Sequence, residues 1–354
     1  MKSVKYVVLF LLIIQFLLPS GLRLSNVYHN RLDYDKVKSN LHDIGAVMEQ
    51  IQKEVKRKDL KDYIVILGDS ILFGSPGNSN QVINAYMEQE QGAPAIFNLS
   101  LPANQPGDIY TMMLMMDRYG LSSDNLILNI RYASFIERDP YPSAVFWLQD
   151  ELRKYDREAY DRVLPQLKSA GYKPPSSLYD RYKHMLHEQI MPSLELFRYQ
   201  DFIKKGINYN YKHLVNEPIP DDALGDTRPW KEKDFADFMT DESLINSFSD
   251  KAFVMTEESP DIYFLNKMIA HQKGKRTLFL LSGTNHEMMS EYVTKPGYKM
   301  NLELIDRYMA NQPVGYVNLE GRMSNDLFTD HTHFIPAGYE ELADVIWTEW
   351  NRRP

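Results

Sequence analysis

Five short apolar runs punctuate the chain, and between them apolar residues recur at helical spacing. The first, Tyr63–Leu67 (YIVIL), is rich in β-branched residues and stops at Gly68-Asp69-Ser70, the pattern of a strand buried on both faces. Similar runs follow at Ala95–Leu99, Leu126–Ile130, Thr277–Leu281 and Val314–Val317. Helical patterns at Asn80–Gln89, Asp108–Tyr119, Pro260–Gln272 and Pro336–Trp350 alternate with them. Strands alternating with helices predict an α/β fold with a parallel, doubly wound sheet.

Two departures from that alternation set the domain organisation. Roughly 145 residues separate the third and fourth runs, far more than one crossover helix needs. They predict a helical insert at about 135–259, rich in aromatic residues that serve chiefly as its own core. Ser177–Phe197 reads as helical and Asn216–Pro229 as a loop. Ahead of the first strand, Val37, Leu41, Ile44, Met48, Ile51 and Val55 form one helical stripe, so 23–60 is expected to be an amphipathic helical stalk leading into a domain at 61–354.

The N-terminus changes the picture of location. Lys2 and Lys5 precede an apolar run from Tyr6 to Leu18, which suits either the h-region of a signal peptide or a short anchor at 1–22. No A-x-A-like site follows, which favours the anchor, with the lysines cytoplasmic and the body exported. A cleaved segment would instead make the protein secreted.

Composition mainly excludes. The chain has 354 residues, a formal charge of -8 and no basic patch, so no nucleic-acid partner is expected. It has no cysteine, which rules out disulfides, thiolate metal sites and a cysteine nucleophile. His184, His187 and Glu188 fall within one helical turn, but HxxHE is not the HxxEH order of a zinc protease and no third ligand is evident. No metal and no cofactor are expected.

The chemistry lies at strand ends. In open α/β sheets ligands bind beyond the carboxyl ends of the strands, and Ser70 sits at such an end. Near the C-terminus, Asp330 and His333 lie three apart in a loop entering the last helix, a spacing that lets the carboxylate turn back onto the imidazole. Taken alone, each is an ordinary turn residue.

Together, GDS after the first strand, Gly74 four residues beyond the serine and DxxH before the last helix resemble the SGNH, or GDSL, hydrolase superfamily over about Lys61–Ile130 and Lys275–Asn351. The resemblance implies a three-layer α/β/α sandwich, flavodoxin-like, with sheet order 2-1-3-4-5. It implies Ser70 as nucleophile, His333 as base and Asp330 as its orienting acid. The oxyanion hole would be the amides of Ser70 and of Ala103, which stands where the family's second block has glycine. The third-block asparagine has no counterpart in Asn129-Ile130-Arg131-Tyr132-Ala133-Ser134. Arg131 and Asn285 are the possible substrate-binding replacements. The expected function is acyl transfer on ester-linked acyl groups, acetyl foremost, of a cell-envelope polysaccharide, as esterase or O-acyltransferase, with a membrane O-acyltransferase as a possible partner. The alternative is a non-catalytic binding or assembly protein on a degenerate scaffold.

Overall fold

The computed structural model describes residues 2–138, 140–186, 190–218 and 222–352. Five parallel strands form one sheet in the order β2-β1-β3-β4-β5. They are β1 Tyr63–Leu67, β2 Ala95–Asn98, β3 Asn125–Ile130, β4 Arg276–Leu281 and β5 Gly315–Asn318. All lie within one residue of the apolar runs.

Among the described residues, sixteen α-helices precede, connect and follow the strands. Before β1 come α1 Lys2–Gly21, α2 Tyr34–Ser39 and α3 His42–Arg57; between β1 and β2 come α4 Ser70–Phe73 and α5 Ile83–Met87. α6 Pro106–Tyr119 joins β2 to β3. The long segment from β3 to β4 carries α7 Gln149–Tyr155, α8 Arg157–Ser169, α9 Leu178–Met185, α10 Glu195–Arg198, α11 Gln200–Leu214, α12 Glu242–Asn246 and α13 Pro260–His271. α14 Ser290–Val293 and α15 Pro296–Ala310 lead to β5, and α16 Pro336–Asn351 follows it.

Alternate residues of each strand feed different cores, as the two-residue period of a pleat requires. Val65, Leu67, Leu126, Leu128, Phe279 and Leu281 pack with residues of α3, α6, α13 and α15. Ile64, Ile66, Ile127, Leu278, Leu280 and Val317 pack with α4, α5 and α16. The result is the three-layer sandwich.

Residues 23–60 are not a stalk. Ile44, Val47, Met48 and Ile51 of α3 are fully buried in the first core, and α3 lies beside α6. A six-residue apolar stripe needs a surface to cover it, and here the sheet's own helical layer supplies that surface. Among the described residues no helix is long and apolar enough to cross a membrane; several α1 side chains lie outside that set.

One buried acid fixes the approach of α6 to the site. Asp108 is fully buried and accepts hydrogen bonds from the backbone N–H groups of Gln105, Phe146, Trp147 and Leu148 at 2.8–2.9 Å. Trp147 in turn donates from Nε1 to the Pro102 carbonyl at 2.8 Å. The loop before α6 is thereby tied to the start of the insert. Asp108→Ala strands four donors, so it is expected to lower unfolding stability by on the order of 3 kcal/mol, as measured by chemical denaturation.

Candidate active site

The carboxyl ends of β1, β3, β4 and β5 converge on a small set of polar side chains. After β1 the chain turns at Gly68 and enters α4, with Asp69 as N-cap accepting from Ile71 N–H at 2.9 Å. Gly74 closes this one-turn helix at φ +79, where an added Cβ would lie 2.6 Å from Val82 Cγ1. Both the hand of the backbone and the lack of room demand glycine there. Ser70 is thus held at a helix start beyond the carboxyl end of β1.

The loop after β5 returns an imidazole to Ser70. Phe328 and Phe334 pair across a small antiparallel bridge, with rings 4.4 Å apart in the second core. The turn between them presents Asp330 and His333. Asp330 Oδ1 accepts from the backbone N–H groups of Thr332 and His333, both at 2.8 Å. Its Oδ2 lies 2.8 Å from His333 Nδ1. That contact places the proton on Nδ1, so Nε2 is the acceptor for the Ser70 hydroxyl at 2.7 Å. Serine, imidazole and carboxylate form one hydrogen-bonded chain, which can draw the serine proton toward His333 as the oxygen attacks.

The charges agree with that task. Burial opposes ionisation of Asp330, but the His333 charge and hydrogen bond, together with nearby His331, hold its carboxyl well below the usual range. Burial likewise disfavours the His333 imidazolium, and Asp330 more than compensates, raising its pKa. His331 behaves oppositely. Burial outweighs Asp330, whose Oδ1 is 3.6 Å away and makes no hydrogen bond to it, so its pKa falls to about 4. Its ring packs on Phe238 and Phe248 of the insert, at 5.1 and 6.1 Å between centroids.

Ala103 adopts φ +65, the left-handed backbone that the glycine of the resemblance would occupy without strain. Its loop is stitched to the nucleophile turn: Leu101 N–H and Asn104 Nδ2 both donate to the Gly68 carbonyl at 3.0 Å. Among the described residues, neither the Ser70 nor the Ala103 N–H donates to another protein group. Both amides are available to a developing oxyanion.

Arg131 and Asn285 have other partners. Arg131 Nε lies 2.6 Å from Asp69 Oδ2, so the cation neutralises the residue next to Ser70, while about a third of its side chain remains exposed. Asn285 does not reach the crevice. It is fully buried; its N–H donates to the His331 carbonyl at 2.9 Å, its Nδ2 lies 3.4 Å from the Asp330 carbonyl, and its Oδ1 accepts from Met288 N–H. It holds the base loop in place, correcting the expectation that it binds substrate.

The residue that the sequence reading passed over is Asn129, in β3. Its Oδ1 accepts from Asp69 N–H at 3.1 Å, while Nδ2 donates to Asp69 Oδ1 at 2.9 Å and to Ser282 Oγ at 3.0 Å. Polarity at the end of an apolar strand was the available signal. Of the histidine cluster set aside above, the His184 side chain, His187 and Glu188 lie outside the described residues.

The insert reaches both halves of the site. Leu224 and Gly77 exchange backbone hydrogen bonds at 2.9 and 3.0 Å beside the nucleophile turn. Trp230 donates from its backbone to the Phe328 carbonyl at 3.1 Å and from Nε1 to the Asn325 carbonyl at 3.0 Å. Thr329 Oγ1 meets the carbonyls of Asp226 and Arg228 and accepts from Lys233 Nζ. A cavity of about 1620 Å³ lies elsewhere, lined by residues of α2, α9 and α11, and neither Ser70 nor His333 lines it.

Comparison with protein-family models finds no match, and none of the curated proteins matches the chain.

The two histidines are expected to titrate apart in imidazole ¹H–¹⁵N NMR spectra, His333 above 6.5 and His331 near 4. Because the Asp330 charge favours the His333 imidazolium, Asp330→Asn should move the His333 midpoint down. An unchanged midpoint would contradict the assigned coupling.

Proposed function

We propose that this chain is an exported, membrane-anchored serine acyl-transfer enzyme of the SGNH, or GDSL, type. The Ser70–His333–Asp330 hydrogen-bonded chain is the observation that carries the reading. Ser70 Oγ attacks an ester carbonyl as its proton passes to His333 Nε2. The oxyanion is met by the N–H groups of Ser70 and Ala103, and His333 returns the proton to the departing alcohol. A second hydroxyl, deprotonated by His333, then attacks the acyl-serine and restores the free enzyme.

Water as the second nucleophile makes the protein an esterase; a sugar hydroxyl makes it an O-acyltransferase. The segment from Leu224 to Lys233 supports a walled crevice, because it bonds to the loops on both sides of Ser70. A walled crevice favours a bound hydroxyl over bulk water. The reading is therefore transfer of acetyl groups to an envelope polysaccharide, with a membrane O-acyltransferase as the source of activated acyl groups. Replacement of the third-block asparagine by a salt-bridged Arg131 favours the second reading, an assembly protein on a hydrolase scaffold.

A serine-reactive fluorophosphonate should label the wild-type protein and fail on Ser70→Ala; absence of label on the wild type would favour the assembly protein. His333→Ala should lower ester turnover by a factor on the order of 10³, with His331→Ala far milder. Given an activated acetyl ester with candidate glycans, the enzyme should form acetyl-glycan at the expense of free acetate. Acetate release that no glycan suppresses would leave an esterase.

A further inference from the structure

Nineteen of the twenty-four exposed large apolar side chains among the described residues fall in two segments, seven on α1 and twelve between residues 178 and 215. These segments touch. Gln15, the one polar residue inside the apolar run of α1, donates from Nε2 to the Ser193 carbonyl at 3.3 Å and accepts from Glu195 N–H at 2.8 Å. Among the described residues the rest of the surface carries scattered apolar residues, so this concentration calls for a cover.

The exposed residues on the insert are ordered. Leu178, Tyr182 and Met185 of α9 stand at i, i+4 and i+7, as do Ile207, Tyr211 and Leu214 of α11. Such a stripe normally faces a core. Here both face outward, with exposures of 37–85 % on α9 and 58–80 % on α11, whereas Phe202, in the first turn of α11, is the residue that docks into the core. Tyr179 adds a further exposed ring beside the α9 stripe, while Lys183, Tyr209 and Lys212 stand at its flank, along the cavity between these helices and α2. Tyrosine beside lysine around an apolar stripe is the composition of a helix lying in a lipid headgroup region.

We infer that α9–α11 of the insert lie in the outer surface of the bilayer that α1 enters, an inference that rests on α1 being an anchor. The depth follows from helix geometry. Tyr6–Leu18 is about 20 Å long at 1.5 Å per residue, short of the roughly 30 Å hydrocarbon core. Gln15 lies three residues, about 4.5 Å, inside the outer end of that run, so the backbone before α10 that satisfies it sits at the acyl boundary. An interfacial helix beds about 5–10 Å into that boundary. The apolar faces of α9 and α11 supply there the burial that the short run of α1 lacks.

The chain has no cysteine, so Tyr182→Cys, Ile207→Cys and Leu214→Cys each carry a single environment-sensitive fluorophore. Asp344→Cys, exposed on α16 across the sheet from α3 and α6, is the aqueous reference. In full-length protein reconstituted into phosphatidylcholine–phosphatidylglycerol vesicles, the three insert positions should shift to the blue and be quenched at least two-fold by nitroxide lipids, and Asp344→Cys should not. Protection from aqueous iodide without lipid quenching would place protein, such as a second copy, on this face and overturn the inference, as would equal iodide access at all four sites. Alkaline carbonate extraction separates the two readings. Release of the chain would overturn the anchor and the docking face together, while a retained chain with water-exposed labels would overturn the docking face alone.

Discussion

The site depends on one clamp between adjacent strands. Asn129 grips both the N–H and the carboxylate of Asp69, so the turn between β1 and α4 has a single geometry set by β3. Gly68 is the consequence: a Cβ there would lie 2.1 Å from Asn129 Oδ1. The clamp costs little, because Asn129 is buried at 2 % exposure with its amide oxygen and nitrogen both engaged. Its effect is large, since Ser70 is the next residue along and must lie within 2.7 Å of a histidine 263 positions away.

The two histidines illustrate how local such control is. His331 and His333 share one carboxylate and comparable burial, yet their basicities diverge in opposite directions. The difference is a hydrogen bond. Asp330 Oδ2 meets His333 Nδ1 at 2.8 Å, whereas Asp330 Oδ1 is occupied by two backbone N–H groups and stands 3.6 Å from His331. A more basic proton acceptor and a neutral packing residue therefore arise two positions apart, and the neutral one abuts Phe238 and Phe248 without importing charge.

Legibility in the sequence followed the range of the interactions. The five strands were visible because a parallel strand buried on both faces is apolar throughout, and Ser70, Asp330 and His333 because strand ends and a three-residue spacing are local. Asn129 was hidden inside a run that reads as strand, since its partner Asp69 is 60 positions away. Asn285 looked available because a strand-end asparagine carries no sign of the loop that buries it. The stripe of α3 was seen but its cover was not, so a layer of the sandwich passed for a stalk. An amphipathic pattern specifies that a face must be covered and is silent about what covers it. The stripes of α9 and α11 pose the same question with the opposite outcome, facing away from the protein.

The insert is joined to the turn that carries Ser70 through Arg31. This residue, 4 % exposed and just ahead of α2, donates from Nη1 to the Gly74 carbonyl at 2.7 Å and from Nη2 to those of Gly77 and Asp222 at 2.8 and 3.0 Å. Its guanidinium also lies 4.6 Å from the centre of the Phe73 ring. A buried cation tolerates this position only while the carbonyls surround it, and those carbonyls come from the nucleophile turn and the insert alike. Residues 222–233 then run from that turn to the base loop. The N-terminal segment, the nucleophile turn, the insert and the Asp330–His333 loop are thus one hydrogen-bonded unit. A chain held at a bilayer by α1 and α9–α11, as inferred above, would fix the crevice at a set height above the lipid, which is where the proposed function needs an acyl group from the membrane and a glycan hydroxyl to meet Ser70.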